Sequence, residues 1–183
     1  MRILGISGSL RRDSQNTRLL RAVSELPLAE VDFVLWDGLK DVPPFDEDDE
    51  SEPPAGVARL RDAIAGADAI LIATPEYNSS VPGQLKNAID WASRPVATSV
   101  LRNKPVAVVG ASTGMFGAIW AQTELKKVLA AAGARVAGGE LPVGQAHTRF
   151  DGAGRLIDDD IREQLALVVN GLVGQLVREP VAA

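Results

Sequence analysis

The chain contains no cysteine and only one histidine, His147, among its 183 residues. A disulfide, a thiolate nucleophile and a cysteine-ligated metal are therefore excluded, and one imidazole is too few for a histidine-ligated metal cluster. If the protein carries out redox chemistry, a bound cofactor must supply it. His147 lies in a polar connection, where an incidental surface residue is the ordinary interpretation and a general base is the alternative.

Clustered positive charge and long apolar segments are also missing. The chain has 19 lysines and arginines against 24 aspartates and glutamates, which gives a formal net charge of -5. Nucleic-acid binding requires a concentrated basic surface, and a membrane span requires roughly 18 consecutive apolar residues. The opening residues lead straight into a polar loop without a small-residue cleavage site, as a first strand does and a signal peptide does not. We therefore expect a cytoplasmic protein that binds neither nucleic acid nor a membrane.

Apolar runs alternate with helical patterns along the chain, and residues 1–183 are expected to form one domain. The predicted strands are Ile3–Ile6, Val31–Trp36, Ala69–Ala73, Val106–Gly110 and Ala134–Gly138. Helical spacing of apolar residues predicts five helices, over residues 19–23, 57–64, 85–92, 125–132 and 161–176. Because right-handed crossovers put helices on both faces of a parallel sheet, this alternation predicts a doubly wound α/β fold.

Two segments fall outside the alternation. Residues 43–54, PPFDEDDESEPP, are interpreted as a solvated acidic loop, with a cation site as the alternative. Residues 142–157 form a long connection with the turn-forming pair Asp151 and Gly152, which suggests a short hairpin or a flap.

The loop after the first predicted strand, in GISGSLRRDSQNTRLL, is rich in hydroxyl and amide side chains. It matches neither a P-loop, which ends in a lysine followed by serine or threonine, nor the G-x-G-x-x-G dinucleotide fingerprint. Several hydroxyls with one arginine, Arg11, suit a phosphate monoester bound without a metal ion. The alternative is a loop that only caps the first helix, with Asn16 or Thr17 as the N-cap.

Two further polar loops follow the third and fourth predicted strands, at residues 74–82 and 110–117. Pro82 suits the first turn of a helix, where its missing N–H has no intrahelical partner to lose. In parallel α/β sheets ligands collect at the carboxyl ends of the strands, near the point where the strand order reverses. With the strand order 2-1-3-4-5 the three loops would border one crevice.

The three loops carry the motifs GSLRxxSxN, PEYNxSxPGxLKNAIDW and GASxGxxGxxxAQxxL. Together they resemble the NADPH-dependent FMN reductase family, a flavodoxin-like group that includes chromate, quinone and azo-dye reductases. The resemblance runs from Arg2 to about Gly139. It implies a flavodoxin-like, five-stranded parallel sheet of order 2-1-3-4-5, FMN as the cofactor, and NADPH or NADH as the co-substrate.

The resemblance also implies roles for individual residues. Those that match the loop around the FMN phosphate are Ser9, Arg11, Ser14, Gln15, Asn16 and Thr17. Those that match the loop along the isoalloxazine edge are Pro75, Glu76, Tyr77, Asn78 and Ser79. The turn on the other side of the ring matches Ser112, Thr113 and Gly114. Tyr77 could instead be a packing residue, and no residue is assigned to acid–base catalysis.

The activity implied is an NAD(P)H oxidoreductase that passes electrons through FMN to quinones, azo compounds, free flavin or other small acceptors in a ping-pong cycle. The alternative is an electron carrier or flavin-binding regulatory protein. Trp120 and Thr123 stand where some chromate- and quinone-reducing members carry arginine and tyrosine, which argues against chromate. The family resemblance implies a homodimer or homotetramer. Arg94 and Arg149 are candidates for holding a 2′-phosphate, but the sequence leaves the choice between NADPH and NADH open.

Overall fold

The computed structural model describes residues 1–28 and 30–177 and contains a parallel sheet. Its strands are β1 (Arg2–Ser7), β2 (Asp32–Trp36), β3 (Ala69–Thr74), β4 (Pro105–Ala111), β5 (Arg135–Val136) and β6 (Pro142–Val143). The order is β2-β1-β3-β4-β5, with β6 also paired to β4, and every pairing is parallel. This confirms the predicted α/β class and the flavodoxin-like strand order.

Helices cover both faces of the sheet, as predicted. They are α1 (Gln15–Val23), α2 (Ala55–Ala65), α3 (Gly83–Ala92), α4 (Ile119–Ala131) and α5 (Asp159–Val177). Leu71 on β3 belongs to the core shared with α1 and α5, while its neighbours Ile70 and Ile72 belong to the core shared with α2, α3 and α4. The alternation follows from the two-residue period of a strand, which sends successive side chains to opposite faces. In the range described, none of the helices combines the length and apolar character that a bilayer span requires.

The fifth strand differs from the prediction of a single run over Ala134–Gly138. The edge of β4 is paired instead by two short strands: β5 pairs with Pro105 and Val106, and β6 pairs with Gly110 and Ala111. Between them the chain leaves the ladder at Gly139, whose φ of +91° suits only glycine without strain. The predicted strand ended one residue earlier, at Gly138, and the prediction therefore missed β6.

The acidic segment behaves as predicted, and so does the second segment apart from its first two residues, which form β6. The acidic segment is a loop with one short 3-10 turn, Glu47–Asp49, and the carboxylates from Asp46 to Asp49 are exposed to solvent. In the other segment, Phe150 and Leu156 form an antiparallel bridge, which closes a short hairpin. Asp151 stabilises its turn by accepting hydrogen bonds from the backbone N–H groups of Ala153 and Arg155, both at 2.9 Å.

The helix α3 fixes the connection between β2 and α2. Asn87 accepts a hydrogen bond from Phe45 N at 2.7 Å and donates one to Pro43 O at 2.8 Å. Trp91 is fully buried and also donates to Pro43 O, at 3.0 Å. Trp91 is therefore a core residue, and Asn87 holds a neighbouring segment in place.

Candidate functional site

Three loops meet at the carboxyl ends of β1, β3 and β4 and enclose an open cleft, the front cleft. They are the first loop (residues 8–14), the second loop (75–82) and the third loop (112–118). The front cleft is lined by Ser9, Arg11, Ser14, Gln15, Asn16, Pro75, Glu76, Tyr77, Ala111, Ser112 and Thr113. Most of the residues predicted from the sequence are thus brought together, and Ala111 is a lining residue that the prediction missed.

Four predicted residues do not line the front cleft: Thr17, Asn78, Ser79 and Gly114. The Thr17 hydroxyl donates to Ser7 Oγ at 2.8 Å, toward β1. Asn78 and Ser79 occupy the exposed tip of the second loop. Gly114 is held by its own loop, where its N–H donates to Ser112 Oγ at 3.1 Å, and by the segment after β6, where its carbonyl accepts from Gln145 N at 2.8 Å.

The first loop ends at Ser14, the N-cap of α1. Ser14 has extended backbone angles, and its Oγ accepts a hydrogen bond from Thr17 N at 3.2 Å. The alternative of Asn16 or Thr17 as the cap is therefore wrong. Among the described residues no acceptor is found for the backbone N–H groups of Gln15 and Asn16. These two groups and the positive end of the helix make this corner of the front cleft suitable for an anion.

Asn16 connects the first loop to the fourth strand. Its side chain is buried, donates to Ala111 O at 3.0 Å and accepts from Ala111 N at 2.9 Å. A side-chain amide that pairs in both directions with one backbone residue fixes the distance between the two loops. Asn16 therefore positions the front cleft, and its backbone N–H is the part left for a ligand.

Gln15 behaves differently from its neighbour. Its Oε1 is buried, and no hydrogen-bond donor reaches it from residues 1–28 or 30–177. A buried acceptor without a donor costs about 1–3 kcal/mol, so a ligand that brings a hydroxyl group into the front cleft would be stabilised there. A phosphate ester of a sugar alcohol has this chemistry, with the phosphate for the helix end and hydroxyls for Gln15.

The second loop is a tight turn with Tyr77 at its base. Tyr77 and Ser80 exchange backbone hydrogen bonds of 3.1 and 3.2 Å, and the two residues between them both have positive φ. This is the pattern of a two-residue hairpin turn with both central residues left-handed. It leaves the Tyr77 side chain half exposed at the edge of the front cleft.

Glu76 joins the second loop to α4. Its Oε2 accepts a hydrogen bond from Ala121 N, in the first turn of α4, at 3.0 Å. A carboxylate at a helix N-terminus is stabilised by the unpaired N–H groups and by the helix dipole. Glu76 therefore neutralises the positive end of α4, so α1 is the helix end that stays open toward the front cleft.

Three apolar side chains beside the front cleft are exposed, and we call them the apolar ridge: Met115, Phe116 and Trp120. Their exposed fractions are 74%, 58% and 47%, respectively. The rings of Phe116 and Trp120 pack edge to face, with centroids 5.0 Å apart. The sequence did not predict this ridge, because apolar residues spaced four apart at a helix start are equally typical of a buried helix face.

Comparison with known families agrees with this architecture. The sequence model of the NADPH-dependent FMN reductase family matches residues 1–148. This chain belongs to that family. The assignment makes it an oxidoreductase of the NAD(P)H-dependent, FMN-containing type, with FMN as the cofactor and a reduced nicotinamide nucleotide as the co-substrate.

Several relatives match nearly the whole chain. An NAD(P)H-dependent FMN reductase of Pseudomonas aeruginosa is 43% identical over 166 residues, which is 89% of this chain and 88% of the relative. A 2-hydroxy-1,4-benzoquinone reductase of a Burkholderia species is 38% identical over 166 residues, which is 90% of both chains. Among solved structures, the flavoenzyme NAD(P)H:(acceptor) oxidoreductase FerB of Paracoccus denitrificans superposes with a TM-score of 0.86 at 36% identity, covering 96% of each chain.

Two observations indicate that the front cleft suits FMN. The open N–H groups at the start of α1 suit the phosphate, and the orphaned Gln15 Oε1 suits a ribityl hydroxyl.

Replacing Asn16 with alanine should lower the free energy of unfolding of the flavin-free protein by about 2–4 kcal/mol, because both backbone groups of Ala111 lose a buried partner. Urea unfolding followed by circular dichroism measures this. The matched control is Gln15→Ala, which removes an unpaired buried acceptor and should therefore not lower the flavin-free stability. Equal effects of the two substitutions would contradict the structural role of Asn16.

Proposed function

We propose that this chain binds FMN in the front cleft and transfers electrons from NADPH or NADH to small organic acceptors in a ping-pong cycle. The observation that carries the proposal is the convergence of the three loops at the open end of α1. The backbone N–H groups there suit a phosphate, and the unpaired Gln15 Oε1 suits a hydroxyl of a polyol. Two features of the relatives support it: one is named as an FMN reductase and another as a benzoquinone reductase.

The first loop and the start of α1 would hold the phosphate. The donors are the backbone N–H groups of Gln15 and Asn16, the hydroxyls of Ser9 and Ser14, and the guanidinium of Arg11. Ser9 and Ser14 each accept a backbone hydrogen bond, at 3.4 and 3.2 Å, so each hydroxyl hydrogen is left for the phosphate. Thr17 and the Asn16 side chain would act indirectly, by holding the loop.

The second and third loops would hold the flat ring. Pro75 and Tyr77 offer apolar surface on one side, and Ser112 and Thr113 offer backbone and hydroxyl groups on the other. Asn78, Ser79 and Gly114 would shape these loops without lining the front cleft. When bound, FMN accepts hydride from a reduced nicotinamide and passes electrons on, so the chain needs only to orient the ring and leave one face accessible.

The acceptor would be a quinone, an azo compound, free flavin or a similar small molecule. Trp120 presents apolar surface where some chromate- and quinone-reducing members have arginine, and the Thr123 hydroxyl donates to Ile119 O at 3.0 Å. Neither residue supplies positive charge for an oxyanion, which disfavours chromate. A cytoplasmic location stays a prediction.

We further propose that the apolar ridge seats a second copy of the chain, in a homodimer or in the pairs of a homotetramer. Exposed aromatic side chains in one contiguous patch are typical of protein interfaces and rare on free surfaces. Because Met115 and Phe116 lie on the same loop as Ser112 and Thr113, and Trp120 lies in the first turn of α4 that follows it, the interface would border the front cleft.

Substituting Trp120 with lysine should shift the protein toward monomer in sedimentation velocity, because a charge would be buried at the contact. Leu167→Lys is the matched control, since Leu167 is 70% exposed on α5, away from the ridge. If both variants sediment like the unsubstituted protein, the ridge is not the interface.

Arg11→Ala should weaken FMN binding by about 1.5–3 kcal/mol, or about 10- to 150-fold, if its guanidinium makes a charge-assisted bond to the phosphate. Fluorescence titration of the flavin-free protein measures the affinity. The control is Arg12→Ala, which removes the same charge from an exposed neighbour outside the front cleft. Unchanged affinity in Arg11→Ala would mean that the phosphate binds elsewhere.

The electron-transfer function is tested by anaerobic mixing of the FMN-loaded protein with NADPH or NADH, followed by flavin absorbance. We expect rapid bleaching that a quinone reverses, and parallel double-reciprocal plots in steady state. Tight FMN binding without bleaching would favour an electron carrier or regulatory protein instead.

A further inference from the structure

A second depression, the rear cleft, lies on the opposite side of the first loop. It has a volume of about 190 Å³ and opens between the carboxyl ends of β1 and β2. Ser9 and Arg11 line both clefts. The first loop is therefore a wall between two cavities, and only the front cleft has been assigned a ligand so far.

The rear cleft carries an excess of positive charge. Arg11, Arg21 and Lys40 line it together with a single carboxylate, that of Asp37. All three cations are exposed, and across residues 1–28 and 30–177 none of them has a carboxylate oxygen within ion-pair distance. In a chain of net charge -5, three unpaired cations around one cavity indicate a site for an anion.

The other arginines suggested for a 2′-phosphate are already paired. Arg94 Nε lies 3.8 Å from Glu50 Oε1, and Arg149 Nη1 lies 2.7 Å from Asp158 Oδ2. An anion at either position would have to compete with a carboxylate. Within the described part of the chain, Arg21 and Lys40 have no carboxylate oxygen within 4.0 Å, so they are the better candidates.

Three of the residues that line the rear cleft are apolar: Leu10, Leu35 and Trp36. Leu10 is 40% exposed, and Trp36 is half buried at the end of β2. The indole of Trp36 lies against Gly38, where an added Cβ would be only 2.7 Å from Cζ2, so the ring is held in place. A fixed indole and a leucine beside cations suit a purine base that carries phosphate.

We propose that the rear cleft binds the adenosine end of NADPH, with Arg21 and Lys40 pairing with its 2′-phosphate and Trp36 packing against the adenine. This inference rests on the proposed function, and it assigns the coenzyme preference to NADPH over NADH. A dinucleotide lying across Arg11 would reach from the front cleft to the rear cleft. Asp37 should weaken phosphate binding, because its carboxylate repels the phosphate. It is the only carboxylate among the described residues that line the rear cleft.

The test is isothermal titration calorimetry of the FMN-loaded protein with adenosine 2′,5′-bisphosphate and, separately, with adenosine 5′-monophosphate. We expect the bisphosphate to bind at least about tenfold more tightly, since only it offers the additional charged contact. Arg21→Gln and Lys40→Gln should each remove about tenfold of the bisphosphate affinity and leave that of the monophosphate nearly unchanged. Asp37→Asn should raise the bisphosphate affinity by about two- to fivefold.

Arg12→Gln is the matched control, because it removes one arginine charge from the first loop without touching the rear cleft. Equal binding of the two nucleotides, or bisphosphate affinity that Arg21→Gln and Lys40→Gln leave unchanged, would overturn the proposal. Loss of FMN from these two variants would also overturn it, because the cations would then belong to the FMN phosphate. The titration does not depend on electron transfer, so the two proposals can fail separately. If the protein binds the bisphosphate as expected but NADPH does not bleach its flavin, the proposed function is contradicted and the proposed role of the rear cleft is not.

Discussion

The paired hydrogen bonds between Asn16 and Ala111 are the constraint on which the front cleft depends. They join the start of α1 to the end of β4 across the sheet, because β3 lies between β1 and β4. A cleft made of loops has little rigidity of its own, since loop backbone lacks the regular hydrogen bonds of a strand or helix. The amide of Asn16 supplies the missing cross-link at the base of the cleft, where water cannot compete for it.

Glu76 supplies a second cross-link, higher on the cleft wall. By accepting from Ala121 N it ties the second loop to α4 and sets the distance between Tyr77 and the apolar ridge. The same contact has an electrostatic effect: the carboxylate neutralises one helix end, and the open end of α1 is left as the attractive position for a phosphate. Asn16 and Glu76 therefore set the geometry of the front cleft, and Glu76 also sets its charge distribution.

Much of this arrangement could be predicted from the sequence. Apolar runs of four to six residues located four of the strands, and parallel strands necessarily bring their carboxyl ends to one edge, so the three polar loops had to meet there. The cap at Ser14 is a local contact with Thr17 N, and the prediction placed it two or three residues too late. The role of Asn16 and the exposure of the apolar ridge could not be predicted, because each depends on how distant segments pack. Asn16 bonds to a residue 95 positions away, and no local pattern distinguishes a buried amide from one that faces a ligand. The division of the fifth strand was missed for a related reason: a pair of two-residue strands is too short to show periodicity.

The first loop raises a question of specificity, because Arg11 lines both clefts. A guanidinium that faces two anionic ligands stabilises both and so cannot distinguish between them. Discrimination must come from residues that belong to one cleft only. In the front cleft such a residue would be Gln15, whose buried acceptor has no donor among the described residues and would favour a ligand with a hydroxyl group beside its phosphate. In the rear cleft such residues would be Arg21 and Lys40, whose charges would stabilise a phosphate bound there and do not line the front cleft. The shared arginine would then couple the two ligands, since each phosphate draws the same side chain and partly screens its charge from the other.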